Sequence, residues 1–202
     1  MSYIANTAFE ARITNNDREN LSHIAGLYQS GGVAADCSAG LLCVRASQAP
    51  NEGFDNPSGT RVYNENAWIM NAAGDSATVD DVIYACDTYD NQLVGNGANN
   101  WFLGAKTLGL GVPAGRWGNF TRIDFDNQSV YRFGIGNLSA AISTNTYFTI
   151  ANGLLVPAAS APTTTGAPYF KLRGTGKFVE GNGEAFTYYD VVACKVSTVA
   201  AG

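Results

Sequence analysis

Apolar and polar positions alternate in short runs along most of this chain, and clusters of Gly, Asn, Ser and Asp separate the runs. Alternation with a period of two puts one set of side chains on one face of a strand. The pattern is sharpest over 120–135. Ile123 and Phe125 share a face, Asp126-Asn127-Gln128-Ser129 supplies a turn, and Tyr131, Phe133 and Ile135 share a face of the return strand. A second hairpin is predicted over 177–192, turning at Gly181-Asn182-Gly183, where two glycines permit positive φ. Shorter strands are predicted at 41–45, 67–70, 82–86, 147–150, 154–156 and 170–172. Residues 50–60 and 96–100 read as loops.

The first thirty residues read differently. Residues 1–14 alternate weakly and predict an extended arm. Over 15–29, Leu21, Ile24 and Tyr28 recur at helical spacing, Asn15, Asn16 or Asp17 can cap, and Ser30-Gly31-Gly32 stops the run. One short helix is therefore predicted. The expected fold is mainly β: a sandwich or barrel-like body of many short antiparallel strands over 33–202, preceded by an arm and helix over 1–32. Ala39-Gly-Leu-Leu-Cys-Val-Arg-Ala-Ser-Gln-Ala-Pro50 matches Asn152-Gly-Leu-Leu-Val-Pro-Ala-Ala-Ser-Ala-Pro162, and Gly111-Val-Pro-Ala-Gly115 resembles the entry to the second copy. Two related lobes, at about 33–110 and 111–202, would explain the match; so would chance in a chain rich in Ala, Gly and Leu.

Composition narrows the function. Of 202 residues, 46% are hydrophobic and only 14% charged, against ~25% charged in an average soluble domain. A surface low in charge suits cover by neighbours better than cover by water. The net charge is −5 and the 12 Lys and Arg are scattered singly, which disfavours a nucleic-acid backbone as partner. No apolar run approaches the ~20 residues of a membrane helix, and no basic-then-apolar leader opens the chain. The expectation is a chain made and kept in a cytoplasm, or released by lysis, without a membrane partner.

Catalytic patterns are absent from the sequence. His23 is the one histidine, so triads and histidine-based zinc sites have little to draw on. The cysteines at 37, 43, 86 and 194 show no CxxC spacing and read as free thiols. Gly109-Leu-Gly111 and Gly134-Ile-Gly136 lack the third glycine of a dinucleotide fingerprint. Asp75, Asp80, Asp81, Asp87 and Asp90 could offer oxygens to calcium, but without EF-hand spacing they read better as a solvated acidic edge. Trp68, Trp101, Trp117, Tyr188 and Tyr189 could stack on sugars, and equally serve as core or interface anchors. No catalytic, cofactor or metal residue is assigned. The residues expected at an interface are Tyr3, Ile4 and Phe9 in the arm, and Trp101 and Trp117 in glycine-rich segments.

Gly32-Val-Ala-Ala-Asp-Cys-Ser-Ala-Gly-Leu-Leu-Cys-Val44 and Leu110-Gly-Val-Pro-Ala-Gly115 resemble the glycine-led entry strand of phage head decoration proteins. Asn71-Ala-Ala-Gly-Asp-Ser-Ala-Thr-Val-Asp-Asp-Val-Ile-Tyr-Ala85 and the 120–135 segment resemble proteins encoded beside capsid genes of tailed phages that infect Firmicutes. The resemblance implies a virion protein on the outer capsid surface, often trimeric, that clamps neighbouring copies of the major capsid protein. The chain is about twice the length of the lambda-type decoration protein. A carbohydrate-binding or host-attachment β domain is the alternative, and a hydrolase without familiar motifs is the second.

Overall fold

A computed structural model describes residues 7–12, 23–51, 62–74, 82–89, 111–179 and 185–197. The chain is mainly β. Its strands are β1 (Phe9–Arg12), β2 (His23–Ser30), β3 (Val33–Ala34), β4 (Leu42–Asn51), β5 (Val62–Ala72), β6 (Ile83–Tyr89), β7 (Trp117–Arg122), β8 (Val130–Gly134), β9 (Tyr147–Ala151), β10 (Leu154–Ala158), β11 (Pro168–Val179) and β12 (Ala185–Lys195).

One sheet runs β3-β2-β5-β4-β6-β7, and β7 pairs back onto β2, closing a five-stranded barrel with β3 as a flap. Its pairings are antiparallel except β2 with β5, which run parallel with Ala25 opposite Ala67 and Tyr28 opposite Met70. Tyr28, Cys43, Met70, Tyr84, Cys86 and Phe120 belong to one buried cluster that fills the barrel. Gly26 makes that filling possible: a Cβ there would lie 2.5 Å from Met70 Cγ and 2.6 Å from the Phe120 ring.

The second sheet runs β1-β8-β12-β11-β9-β10, antiparallel throughout. Its inner face presents Phe9, Tyr131, Phe133, Phe148, Phe170, Tyr189 and Val191 to a second buried cluster. The barrel wall supplies the facing residues. Strand β4 over residues 42–43 and β6 over 83–86 are buried on both sides, so Leu42, Ile83 and Ala85 join the sheet-side cluster while Cys43, Tyr84 and Cys86 join the barrel interior. Alternation along a strand thus welds two cores through shared walls.

Three expectations change. Residues 23–30 are strand, not helix; residues 15–22 lie outside the described set. An i, i+4 spacing satisfies a period of two as well as one of 3.6, and Gly26, buried between Ile24 and Tyr28, hides the alternation. The residues described from the arm, 7–12, include an integral strand: β1 pairs with β8, with Phe9 opposite Phe133. The 120–135 segment is not a hairpin. Ile123 and Phe125 are buried, but β7 belongs to the barrel and β8 to the second sheet. The intervening turn is held by Asp124, whose Oδ1 accepts the N–H groups of Asp126 and Asn127 at 3.0 and 3.2 Å.

Other strands fall where the alternation puts them, and β11 and β12 pair through to Val179 opposite Ala185 as the second hairpin requires; its turn lies outside the described residues. The two repeated segments meet in space. At the β9–β10 turn, Asn152 and Gly153 take φ of 50° and 76°. Gly153 accepts from Leu42 N–H at 2.8 Å and donates to Ala73 C=O at 2.7 Å.

Candidate interaction surface

The face of the second sheet turned away from its core is set by register. Tyr188 and Asp190 on β12 lie opposite Gly134 and Arg132 on β8, while the intervening Tyr189 faces Phe133 in the core. On β11, Tyr169 lies opposite Cys194 and Lys171 opposite Val192; Lys171 also lies opposite Tyr147 of β9. The outer face therefore carries Arg132, Tyr147, Tyr169, Lys171, Tyr188, Asp190, Val192 and Cys194. Tyr147, Tyr169, Tyr188 and Val192 are half-buried, and Lys171 is exposed.

Two clusters organise this face. Arg132 grips Asp190 with two parallel bonds, Nε to Oδ1 at 2.9 Å and an Nη to Oδ2 at 3.2 Å. The guanidinium also sits 3.6 Å from the centroid of the Tyr188 ring. Bidentate pairing and stacking together fix a planar cation that an ammonium could not replace. Tyr188 lies across Gly176, where any Cβ would collide with its ring and hydroxyl. In the second cluster, the rings of Tyr147 and Tyr169 lie 6.1 Å apart at 48°. Burial pushes the Tyr169 hydroxyl's pKa up, and neighbouring Cys194 adds to the rise. Burial likewise raises the Cys194 thiol, against the opposing pull of the Tyr169 hydrogen bond and the Lys171 ammonium.

Of the interface residues expected from sequence, the two that are described, Phe9 and Trp117, are not on this face. Phe9 is in the sheet-side core at 1% exposure, stacked on Tyr131 and tilted against Phe133, so it is no surface anchor. Trp117 is half-buried at the start of β7, opposite Leu27 of the barrel. Tyr3, Ile4 and Trp101 lie outside the described residues. Reading loop-context aromatics missed Tyr147, Tyr169 and Arg132. The signal for Tyr169 and Lys171 was their alternation with Phe170 and Leu172.

Cys37, Cys43 and Cys86 are free thiols buried in the barrel cluster. Burial raises the Cys37 pKa well above the ordinary thiol value, with Cys43 and Cys86 adding to the rise. Burial also raises Cys43, against a hydrogen bond with Cys37 that lowers it. Among the described residues no group of three or more His, Cys, Asp or Glu side chains could hold a metal ion. Of the acidic cluster, Asp87 is described, and its Oδ2 accepts the Thr121 hydroxyl at 2.8 Å. Among the described residues no helix is long and apolar enough to cross a membrane.

No family model, curated protein or solved structure matches this chain.

Proposed function

We propose that this chain is a non-enzymatic virion structural protein that binds the outer surface of a tailed-phage capsid, contacts the major capsid protein and stabilises the lattice, acting as a homotrimer. The observation that carries this reading is the outer face of the second sheet. Its half-buried tyrosines and stacked arginine are the residue types enriched where proteins bury surface against each other. The low charge of the whole chain and the resemblance of its glycine-led segments to head decoration proteins point the same way. Binding across capsid seams stabilises a lattice in proportion to occupancy, and three linked sites gain by avidity.

The test is co-sedimentation with particles assembled from a tailed-phage major capsid protein. Binding should be retained by a Thr163→Ala control and weakened at least tenfold by Tyr169→Ala with Tyr188→Ala. Thr163 is exposed and lies off the sheet. A monomer that never sediments with such particles overturns the reading. The Tyr147–Tyr169 pair favours one alternative, a carbohydrate-binding face. Glycan-array binding that is lost in Tyr169→Ala, with no capsid binding, would select it.

A further inference from the structure

Strand β11 is longer than the sheet around it. It pairs with β12 over its whole length, but β9 covers it only at Phe170 and Lys171, with one further bond from Leu172 N–H to Thr146 C=O at 2.7 Å. A bulge follows between Leu172 and Gly174. From Arg173 to Val179 no described strand lies beside β11 on that side. We infer that this edge, residues 173–179, open among the described residues, is a strand-addition site for an extended acidic segment of a partner protein.

The direction of the backbone groups follows from β12. Ala193 N–H donates to Ser129 C=O on the β8 side at 2.9 Å. Alternation then turns Val191, Tyr189 and Thr187 toward β8, and Asp190 and Tyr188 toward β11. The residues opposite Asp190 and Tyr188 are Gly174 and Gly176, so these two bond inward to β12. Thr175 and Lys177, opposite Tyr189 and Thr187, turn their N–H and C=O groups outward. An added strand would find donors and acceptors at the spacing of a ladder, which is how extended peptides join sheet edges. A Cβ at Gly174 would meet nothing within 4 Å, so the sheet face is uncovered there.

Charge selects the occupant. Lys171, Arg173 and Lys177 are all exposed along this strand, a local excess of positive charge on a chain whose net charge is −5. Two copies joined edge to edge along β11 would set these cations against one another, and like charges facing across strands destabilise pairing. A partner segment carrying carboxylates instead gains from each cation. This deepens the assembly role proposed above and rests on it only in taking the partner to be a protein.

The experiment uses the full chain and a blocked ten-residue peptide of alternating valine and glutamate, followed by fluorescence anisotropy in low salt. Binding is expected, and it should weaken at least tenfold when alternate peptide nitrogens are methylated, since that removes ladder donors without altering charge. Thr175→Pro should weaken it as much, because it deletes an outward N–H and leaves the β12 bonds in place. The triple change Lys171→Glu, Arg173→Glu, Lys177→Glu, confined to exposed positions, should do likewise. The lysine-for-glutamate peptide should not bind. Equal binding of methylated and unmethylated peptides overturns strand addition, as does no binding at all. Self-association of the chain that Thr175→Pro abolishes would overturn the acidic partner in favour of a second copy. Capsid co-sedimentation that survives Thr175→Pro would remove the edge and leave the assembly role standing.

Discussion

The side chain of Asn137 donates from Nδ2 to the carbonyl of Ala39 at 2.7 Å, joining residues 98 positions apart. Its Oδ1 accepts from Ala8 N–H at 3.0 Å and from Gly134 N–H at 3.1 Å. At 1% exposure this amide ties the N-terminal segment, the end of β8 and the turn into β4 to one point. A Cβ at Gly40 would sit 2.7 Å from Asn137 Nδ2, so glycine is needed for the approach.

Asn137→Ala leaves Ala8 N–H without its acceptor and Ala39 C=O without this donor, both away from water. Each orphaned buried group costs about 1–3 kcal/mol, so a loss of about 2–4 kcal/mol is expected in urea denaturation. A change below about 0.5 kcal/mol, the usual scatter of surface substitutions, would show that the network is not a tie.

Phe9→Ala removes a ring packed on Tyr131 and Phe133 in the sheet-side core. A loss of about 3–5 kcal/mol is expected, the scale of deleting a core aromatic. Deletion of residues 1–14 should lower the melting temperature as well, because it takes away β1. An arm dispensable to the body would leave both measurements unchanged.

Gly153→Ala strains a φ of 76° and brings a Cβ within 2.9 Å of Leu42 C=O and 2.8 Å of Leu41 Cδ1. The left-handed region alone costs a side chain about 1–2 kcal/mol, and the backbone overlap adds to it. Thermal unfolding should register a loss of at least about 2 kcal/mol. Asn152→Gly, at φ 50° in the same turn, should be tolerated, since glycine occupies this region freely.

The buried thiols give a pH dependence. Cys37 and Cys43 have pKa values raised in the fold by burial, so above about pH 8.5, the free thiol range, the unfolded chain loses protons that the folded chain keeps. The contribution is complete below that range and is lost as pH rises toward the folded values. Stability should therefore fall from about pH 8.5 upward, and Cys37→Ser/Cys43→Ser should flatten the decline. In native protein, maleimide should label Cys194 first, as the one half-buried thiol, and the other three after denaturation. Rapid native labelling of Cys37 would contradict its burial.

How much of this was legible beforehand differs by element. Strands β9, β10 and β11 were readable because each alternates against a core on one side. β2 was not, since Gly26 stands where an inward side chain would reveal the period, and only Met70 and Phe120 across the barrel explain that glycine. The turn after β7 was read at Asp126-Asn127-Gln128-Ser129, yet no local signal says whether the chain folds back or crosses to another sheet.

The sequence by itself determined that this chain is mainly β and carries little charge, because those properties follow from period-two spacing and from residue type. The tertiary structure alone decided which strands are neighbours. Barrel closure between β2 and β7, the double burial of β6 and of the start of β4, and the reach of Asn137 to Ala39 join residues far apart in the chain. The face bearing Arg132, Tyr169 and Tyr188 and the open edge of β11 exist for the same reason. A strand's free face and free edge are defined by what packs beside it, and its own residues do not record that.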